Sequence, residues 1–534
     1  MVKRSGLLMM AAASVGAGFW IVRQATAKAE NPLAVVTQQP QMAKGYVYHD
    51  KNKNGKRDAG EPGIAGIKVS DQTLITRTDR NGFWQLPLEE DQDTRYFVMK
   101  PRNWMTPVSE KQLPIFYYNH KPGGSPKVRY GGVEPTGPLP ASIDFALTPR
   151  KEPTQFKALF FGDSQPRDVR EVDYLRRDVI EPIIGKHDVD FGVTLGDIVF
   201  DDLTVFEPYI NAVALLGIPW YNVLGNHDIN FDVPTDEHSD ETFERYFGPN
   251  YYSFDHGPVH FVVLDNVEWK REGEGRGGYT GKFGEKQLAW LEKDLSMIPQ
   301  NQLVVLMMHI PIAGCSDKEQ LFRLIEKRPY ALSVSAHTHT HEHVFITDKD
   351  GWKGPKPHHH VVNVTTSGSW WRGAPDENGI PHTTMRDGAP NGYSIFSFDG
   401  AQYTIEFRAA RRHEDYQMEI HLPDVLKASE ARDFEVFVNV FAGSERSKVE
   451  MRVGDGAWQP MEQVRVKDPA YVKMWEKDKD LQRPFRNLPD PADSSHVWKA
   501  KIGQRVPRGF VPIHVRTTDQ FGQVYLTTRG VRIE

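Results

Sequence analysis

A chain of 534 residues exceeds what one hydrophobic core can organise, so two to four domains are expected. Its net charge is only -6, with both signs interspersed, which argues against a general nucleic-acid or polyanion binder and leaves small phosphate-containing substrates open. The single cysteine, Cys315, rules out internal disulfides and cysteine-based structural zinc, so any metal must be held by His, Asp, Glu, Asn or Gln.

Lys3 and Arg4, a mostly apolar stretch at 7–22 and then Ala25-Thr26-Ala27 read as a secretory signal over residues 1–29. The alternative is an uncleaved anchor, but the run is short for a span of roughly 20 residues. No other run is long enough to cross a bilayer, so the mature protein is expected to be soluble and periplasmic or secreted.

Residues 43–150 alternate short apolar runs, at 45–48, 67–69, 83–86 and 96–98, with turn residues, the pattern of a small all-β sandwich. A Pro- and Gly-rich stretch at 121–140 is expected to wrap over the surface or against the next domain. Asp50, Asn52, Asn54, Asp58 and Glu61 match the calcium-loop pattern in full, with Gly55 at its turn. A strand-like run before the loop and Pro62-Gly63 after it leave no helix pair for an EF-hand. With the later Thr78-Asp79-Arg80-Asn81-Gly82 turn, the segment resembles the B-type β-sandwich repeats of bacterial surface adhesins, which implies a bound calcium ion. A hydrogen-bonded Asn/Gly turn without metal is the alternative.

From 155 to 410 strands alternate with helices. Strands are expected at 157–161, 191–195, 220–224, 303–308 and 331–335. Val172, Leu175, Val179 and Ile183 mark one face of a helix over 172–184, with Pro182 limiting its last turn. Leu203, Phe206, Ile210 and Val213 mark a second helix, and Leu288, Leu291, Leu295 and Ile298 a third. This is repeated βαβ logic, and antiparallel runs at 260–264 and 394–398 extend the sheet or form another. Directly after apolar runs stand Gly162-Asp163-Ser164-Gln165, Gly196-Asp197, Gly225-Asn226-His227-Asp228, His309 and His337-Thr338-His339. An α/β sheet delivers its strand ends to a common crevice, so motifs that are weak singly form one constellation.

In this order the motifs resemble the calcineurin-like metallophosphoesterases, whose pattern is Asp-x-His, Gly-Asp, Gly-Asn-His-Asp/Glu, a His after an apolar strand and Gly-His-x-His. The resemblance implies an α/β fold with a central β-sandwich flanked by helices in α/β/β/α layers. It also implies a hydrolase of phosphate mono- or diesters that holds two divalent ions, Mn, Fe, Mg or Zn. Carried over by position, Asp197 bridges the metals, Asp163, Gln165 and His339 complete the first site, and Asn226, His309 and His337 the second. A hydroxide held between the ions attacks phosphorus in line, since paired cations roughly 3.5–4 Å apart offset the charge of the ester. His227 faces the leaving-group oxygen as proton donor or charge stabiliser, oriented by Asp228. Gln165 stands where a histidine is common, which makes the first site oxygen-rich and better suited to Mn, Mg or Fe than to zinc. Ala336 in place of glycine is a minor departure.

His341 and His343 are expected to be solvated loop residues. His358-His359-His360 reads as structural, because neighbours in a strand face opposite ways, and Cys315 as an inert small hydrophobe. Trp370, Trp371 and Arg372, next to the crevice, are candidate substrate-binding residues, with Arg372 placed to pair with a phosphate oxygen; packing between domains is the alternative. Residues 415–534 read as a second β-sandwich, with a charged, Pro-rich surface excursion at 467–495. The N- and C-terminal β-domains resemble those of an exported bacterial subfamily of the same phosphoesterases. The rival class is a cell-envelope binding protein whose central domain recognises a phosphorylated ligand without turnover.

Overall fold

Ala158 and Phe160 of the strand Gln155–Phe161 enter one hydrophobic core while Leu159 and Phe161 enter another, because successive side chains of a strand point to opposite faces. The computed structural model in which this is seen describes residues 41–534 except 89–92, 272, 274–276 and 483; the secretory signal expected over residues 1–29 lies outside the described residues. Among these, no helix is long and apolar enough to cross a membrane.

Gln155–Phe161 is the centre of a five-stranded sheet. Phe191–Thr194 and then Trp220–Asn222 lie parallel on one side, and Gly392–Asp399 and Gln402–Ala409 antiparallel on the other. A six-stranded sheet faces it, in the order Tyr252–His256, Val259–Val263, Leu303–Met307, Ala331–Ser335, His358–Val362, Glu342–Ile346. Ala158, Phe160 and Phe396 pack with Phe261, Val305 and Val334 between the sheets. Val172 and Leu175 of the helix Val169–Leu175 and Phe206 of Phe206–Val213 cover the outer face of the first sheet. The helices Glu285–Ser296 and Lys318–Ile325 contribute Leu288, Leu291, Leu321 and Phe322 to the other core. The layers are therefore α/β/β/α.

The helix expected over 172–184 is broken into an α segment Val169–Leu175, a π segment Arg176–Ile180 and a 3-10 turn Glu181–Ile183. Pro182 has no N–H to return to an earlier carbonyl, which prevents regular α pairing there.

Two four-stranded sheets, one built on Met42–His49 and the other on Lys68–Ser70 and Thr94–Val98, precede this body. They dock on Glu285–Ser296: Lys68 pairs with Asp294 at 2.7 Å and Trp290 Nε1 donates to Ser70 Oγ at 3.0 Å. The Pro- and Gly-rich stretch after them lies against the central body, where the buried Lys121 ammonium pairs with Glu241 and Glu244. After it, a four- and a five-stranded sheet enclose Val436, Val438, Met451, Ile513 and Val515. The excursion at 467–495 is more ordered than its composition suggests: Asp468 caps a helix Pro469–Lys479 whose Tyr471 is fully buried. An N-cap Asp followed by Pro at the first helical position is a strong start signal, which the surrounding charges obscure.

Candidate metal centre

Each motif begins where a parallel strand stops, at Phe161, Thr194, Asn222, Met307 and Ser335. The chain turns sharply at those ends: Asp163, Gln165, Asp197, Asp201, His337 and His339 all have positive φ, between 38° and 74°. L-residues hold that conformation at a cost of about 1–3 kcal/mol each, and such strain collects at functional sites. The motif glycines are there for space. A Cβ on Gly225 would lie 1.9 Å from the Asp197 nitrogen, and one on Gly196 2.5 Å from His309 Nδ1.

His309 Nε2 lies 3.0 Å from Asn226 Oδ1, 3.1 Å from His337 Nδ1 and 3.2 Å from Asp197 Oδ1. Ligand atoms bound at right angles to an ion at about 2.1 Å are themselves about 3 Å apart, so this is the spacing of a coordination shell. His309 Nδ1 donates to the Leu195 carbonyl at 2.8 Å, which leaves its Nε2 lone pair for a cation. Asp197, His309 and His337 have ligand atoms within 4.8 Å of one another. On the other side of Asp197, Gln165 Nε2 donates to Oδ2 at 2.6 Å, and His339 Nε2 is 3.6 Å from Asp163 Oδ1. His339 Nδ1 is held by the Gly368 carbonyl at 2.8 Å, so Nε2 carries its lone pair. Gln165 Oε1 and His339 Nε2 are buried without a hydrogen-bond partner among the described residues. Buried acceptors converging without donors are the donor set of a cation site, and the residues present fit a metal on either side of Asp197.

The charges of the site are mutually dependent. Burial pushes the Asp163 carboxyl up to about 7 and lowers His337 to about 4 and His339 to about 3. Burial also opposes ionisation of Asp197, yet His309 and His227 outweigh it and hold its carboxyl well below the usual range. For His309, burial is outweighed by Asp197, which raises it to about 9.

His227 stands at the edge of this cluster. Its backbone N–H donates to Asp197 Oδ1 at 2.9 Å, its ring stacks on Phe200 with centroids 4.3 Å apart, and its Nδ1 is 2.5 Å from Asp201 Oδ1. Burial lowers its pKa, but Asp197 and Asp201 reverse the sign and raise it. The expectation that Asp228 orients His227 is corrected here. Asp228 is fully buried and accepts N–H bonds from Ile198, Val199 and Gly225 at 2.9 to 3.1 Å, tying two strand-end loops together. Asp201 holds the ring instead. Its only sequence signal was an acidic pair four residues beyond Asp197, which is common in loops.

The aromatic run divides. Trp370 stacks on the His339 ring, with centroids 3.7 Å apart. Trp371 is buried and its Nε1 donates to the Ser164 carbonyl at 2.9 Å, so it braces the first motif rather than lining a substrate pocket. Arg372 lies over Trp370, 5.5 Å from its centroid. His341 and His343 are buried, contrary to expectation: the His341 N–H donates to Asp387 Oδ2 at 2.7 Å, and His343 lies in the strand Glu342–Ile346 paired with His358–Val362, where its Nδ1 meets His359 Nε2 at 2.9 Å. His358 and His360 bond Ser333 and Ser335, and His359 bonds Tyr403. Cys315 is buried, its thiol pushed up to about 12 by burial.

In the calcium-type loop, Asp50 and Glu61 are buried and accept backbone N–H groups of Gly55, Lys51 and Asp58. Asn52 and Asn54 both donate amide N–H to Asp58 Oδ2 at 2.8 Å. The five residues are brought together, in the pattern of a hydrogen-bonded turn.

Residues 156–342 match the family model for calcineurin-like phosphoesterases, residues 51–130 the model for the N-terminal part of such proteins, and residues 360–525 the model for their C-terminal part. No curated protein sequence matches the chain. Among solved structures, the purple acid phosphatase PPD1 from yellow lupin seeds is similar at 12% identity and a TM-score of 0.35, over 69% of this chain and 71% of that one. A phosphopantetheinyl hydrolase from Mycobacterium tuberculosis is similar at 11% identity and a TM-score of 0.23, over 38% of this chain and 88% of that one.

Proposed function

Since the chain belongs to the calcineurin-like phosphoesterase family and is a metal-dependent phosphoesterase, we propose that it is an exported hydrolase of small phosphate mono- or diesters in which Asp197 would serve both of two metal sites and His227 assists the leaving group. The observation that carries this reading is the ligand spacing around His309 Nε2, with three further donor atoms at 3.0 to 3.2 Å and the His227–Asp201 pair beside them.

Two divalent ions held there supply Lewis acidity and an activated nucleophile. Asp163, Gln165, Asp197 and His339 would hold one, and Asp197, Asn226, His309 and His337 the other. The Leu195 and Gly368 carbonyls fix the ring orientation of His309 and His339. His227 keeps its proton through Asp201 and Asp197 and delivers it from Nε2 to the departing oxygen. Gln165 offers a neutral oxygen, which favours Mn, Mg or Fe over zinc in the first site.

The mature protein, with an N-terminus near residue 30 and recovered from the periplasm or medium, is expected to hydrolyse 4-nitrophenyl phosphate or bis(4-nitrophenyl) phosphate when Mn is supplied, and to stop when a chelator removes it. A fully metallated sample without turnover on either ester, or an intact leader on a cytoplasmic protein, would contradict the corresponding half of the proposal. Gly225→Ala is expected to displace the Asp197 loop and lower the rate roughly a hundredfold, as a misplacement of about 1 Å does. Native rate and metal content in that variant would show that the loop has room after all.

A further inference from the structure

Beside the centre, between His227 and Trp370, guanidinium groups gather. Arg167 lies 4.0 Å from the Phe200 ring centroid, on the ring that stacks on His227, and its Nη1 donates to the Trp370 carbonyl at 2.9 Å. It thus spans the rim from His227 to Trp370, whose ring covers His339. Arg372 extends from the next turn over Trp370, and its Nε is buried without a hydrogen-bond partner among the described residues. Arg486 comes from the C-terminal region, where its backbone carbonyl is fixed by Gly373 N–H at 2.9 Å. Glu171 meets both Arg486 and Arg167, the latter at 3.6 Å, while Asp201 is engaged by His227. Positive charge therefore exceeds the carboxylate charge in contact with it. Its effect is felt within the group: burial first, and then Arg486 and Arg372, lower Arg167 to about 10 against the opposing pull of Glu171.

A like-charged cluster beside a site for anionic esters is costly to assemble unless an anion completes it. We propose that Arg167, Arg372 and Arg486 form a subsite for a second phosphate group carried by the leaving group, so that the preferred substrates are small bisphosphorylated molecules. This deepens the hydrolase reading and rests on it. The side is set by His227, since the group that protonates the departing oxygen must face the leaving group, and the cluster begins one ring beyond it. Guanidinium groups suit the task because they donate planar paired hydrogen bonds to phosphate oxygens.

The test uses the Mn-loaded full protein with phenyl phosphate and 1,3-phenylene bisphosphate, which share an aryl leaving group and differ in the second phosphate. Wild type is expected to favour the bisphosphate in kcat/KM. Arg372→Ala and Arg486→Ala are expected to lower the bisphosphate-to-phenyl phosphate ratio of kcat/KM roughly tenfold, mainly through KM, the scale of a lost hydrogen bond to a charged group. Arg486→Lys should recover part of that ratio. A ratio untouched by the alanine substitutions in an active enzyme overturns the subsite, as does an equal loss on both substrates, which marks a structural role. A metallated wild type inactive on both esters overturns the hydrolase reading itself, and the subsite with it.

Discussion

Asp197→Asn is expected to lower turnover of phenyl phosphate at least a thousandfold, equivalent to about 4 kcal/mol of barrier, and to lower the metal content of both sites. The asparagine keeps the shape of the side chain and removes the charge. Asp197 is where everything in the centre converges: Gln165 Nε2 and the His227 N–H meet its two oxygens, and His309 Nε2 is 3.2 Å from Oδ1. Its backbone is held at a φ of 49° with its nitrogen packed against Gly225. Rate and metal-per-chain measured on one sample check this result. A variant with wild-type values of both would remove Asp197 from the bridging role.

His227→Asn should retain its metals and lose turnover by roughly a hundred- to ten-thousandfold, the range of a positioned proton donor. The loss should be larger for alkyl phosphates than for 4-nitrophenyl phosphate, because a poor leaving group needs the proton more. Asp201→Asn should show the same leaving-group dependence with a smaller drop, because the asparagine can still orient Nδ1 but no longer holds the ring charged. Asp228→Asn separates the two acids. Its oxygens bind the N–H groups of Ile198, Val199 and Gly225, so its replacement should loosen the loops and the metals together. If His227→Asn emptied the metal sites, or if alkyl and aryl substrates fell equally, the ring would be a ligand or a brace rather than a donor.

Much of the layered body was legible because its signals are local. Leu159 and Phe161 alternate with Ala158 and Phe160 in the primary structure, and that alternation alone assigns two cores to one strand. Helix breakage at Arg176–Ile180 was less legible, since the apolar period continues through it while Pro182 acts from beyond. The helix Pro469–Lys479 was hidden by charge, although Asp468-Pro469 marks its start. The burial of His341 and His343 was not legible, because it depends on Asp387 and on the strand His358–Val362, which both follow later in the chain.

By itself, then, the sequence placed Asp163, Gln165, Asp197, Asn226, His309, His337 and His339, the proposed ligands, in motifs that follow apolar runs, and the two sheets bring those strand ends to one side of the sandwich. What it left open were contacts between residues with no periodic relation. Asp201 replaces Asp228 beside His227, Trp371 braces Ser164, and Arg486 reaches Glu171 from more than three hundred positions away, since their separation is 315 residues. Such neighbours are chosen by which loops the two sheets bring to one end of the sandwich. No local propensity encodes that choice, and only the packed structure decides it.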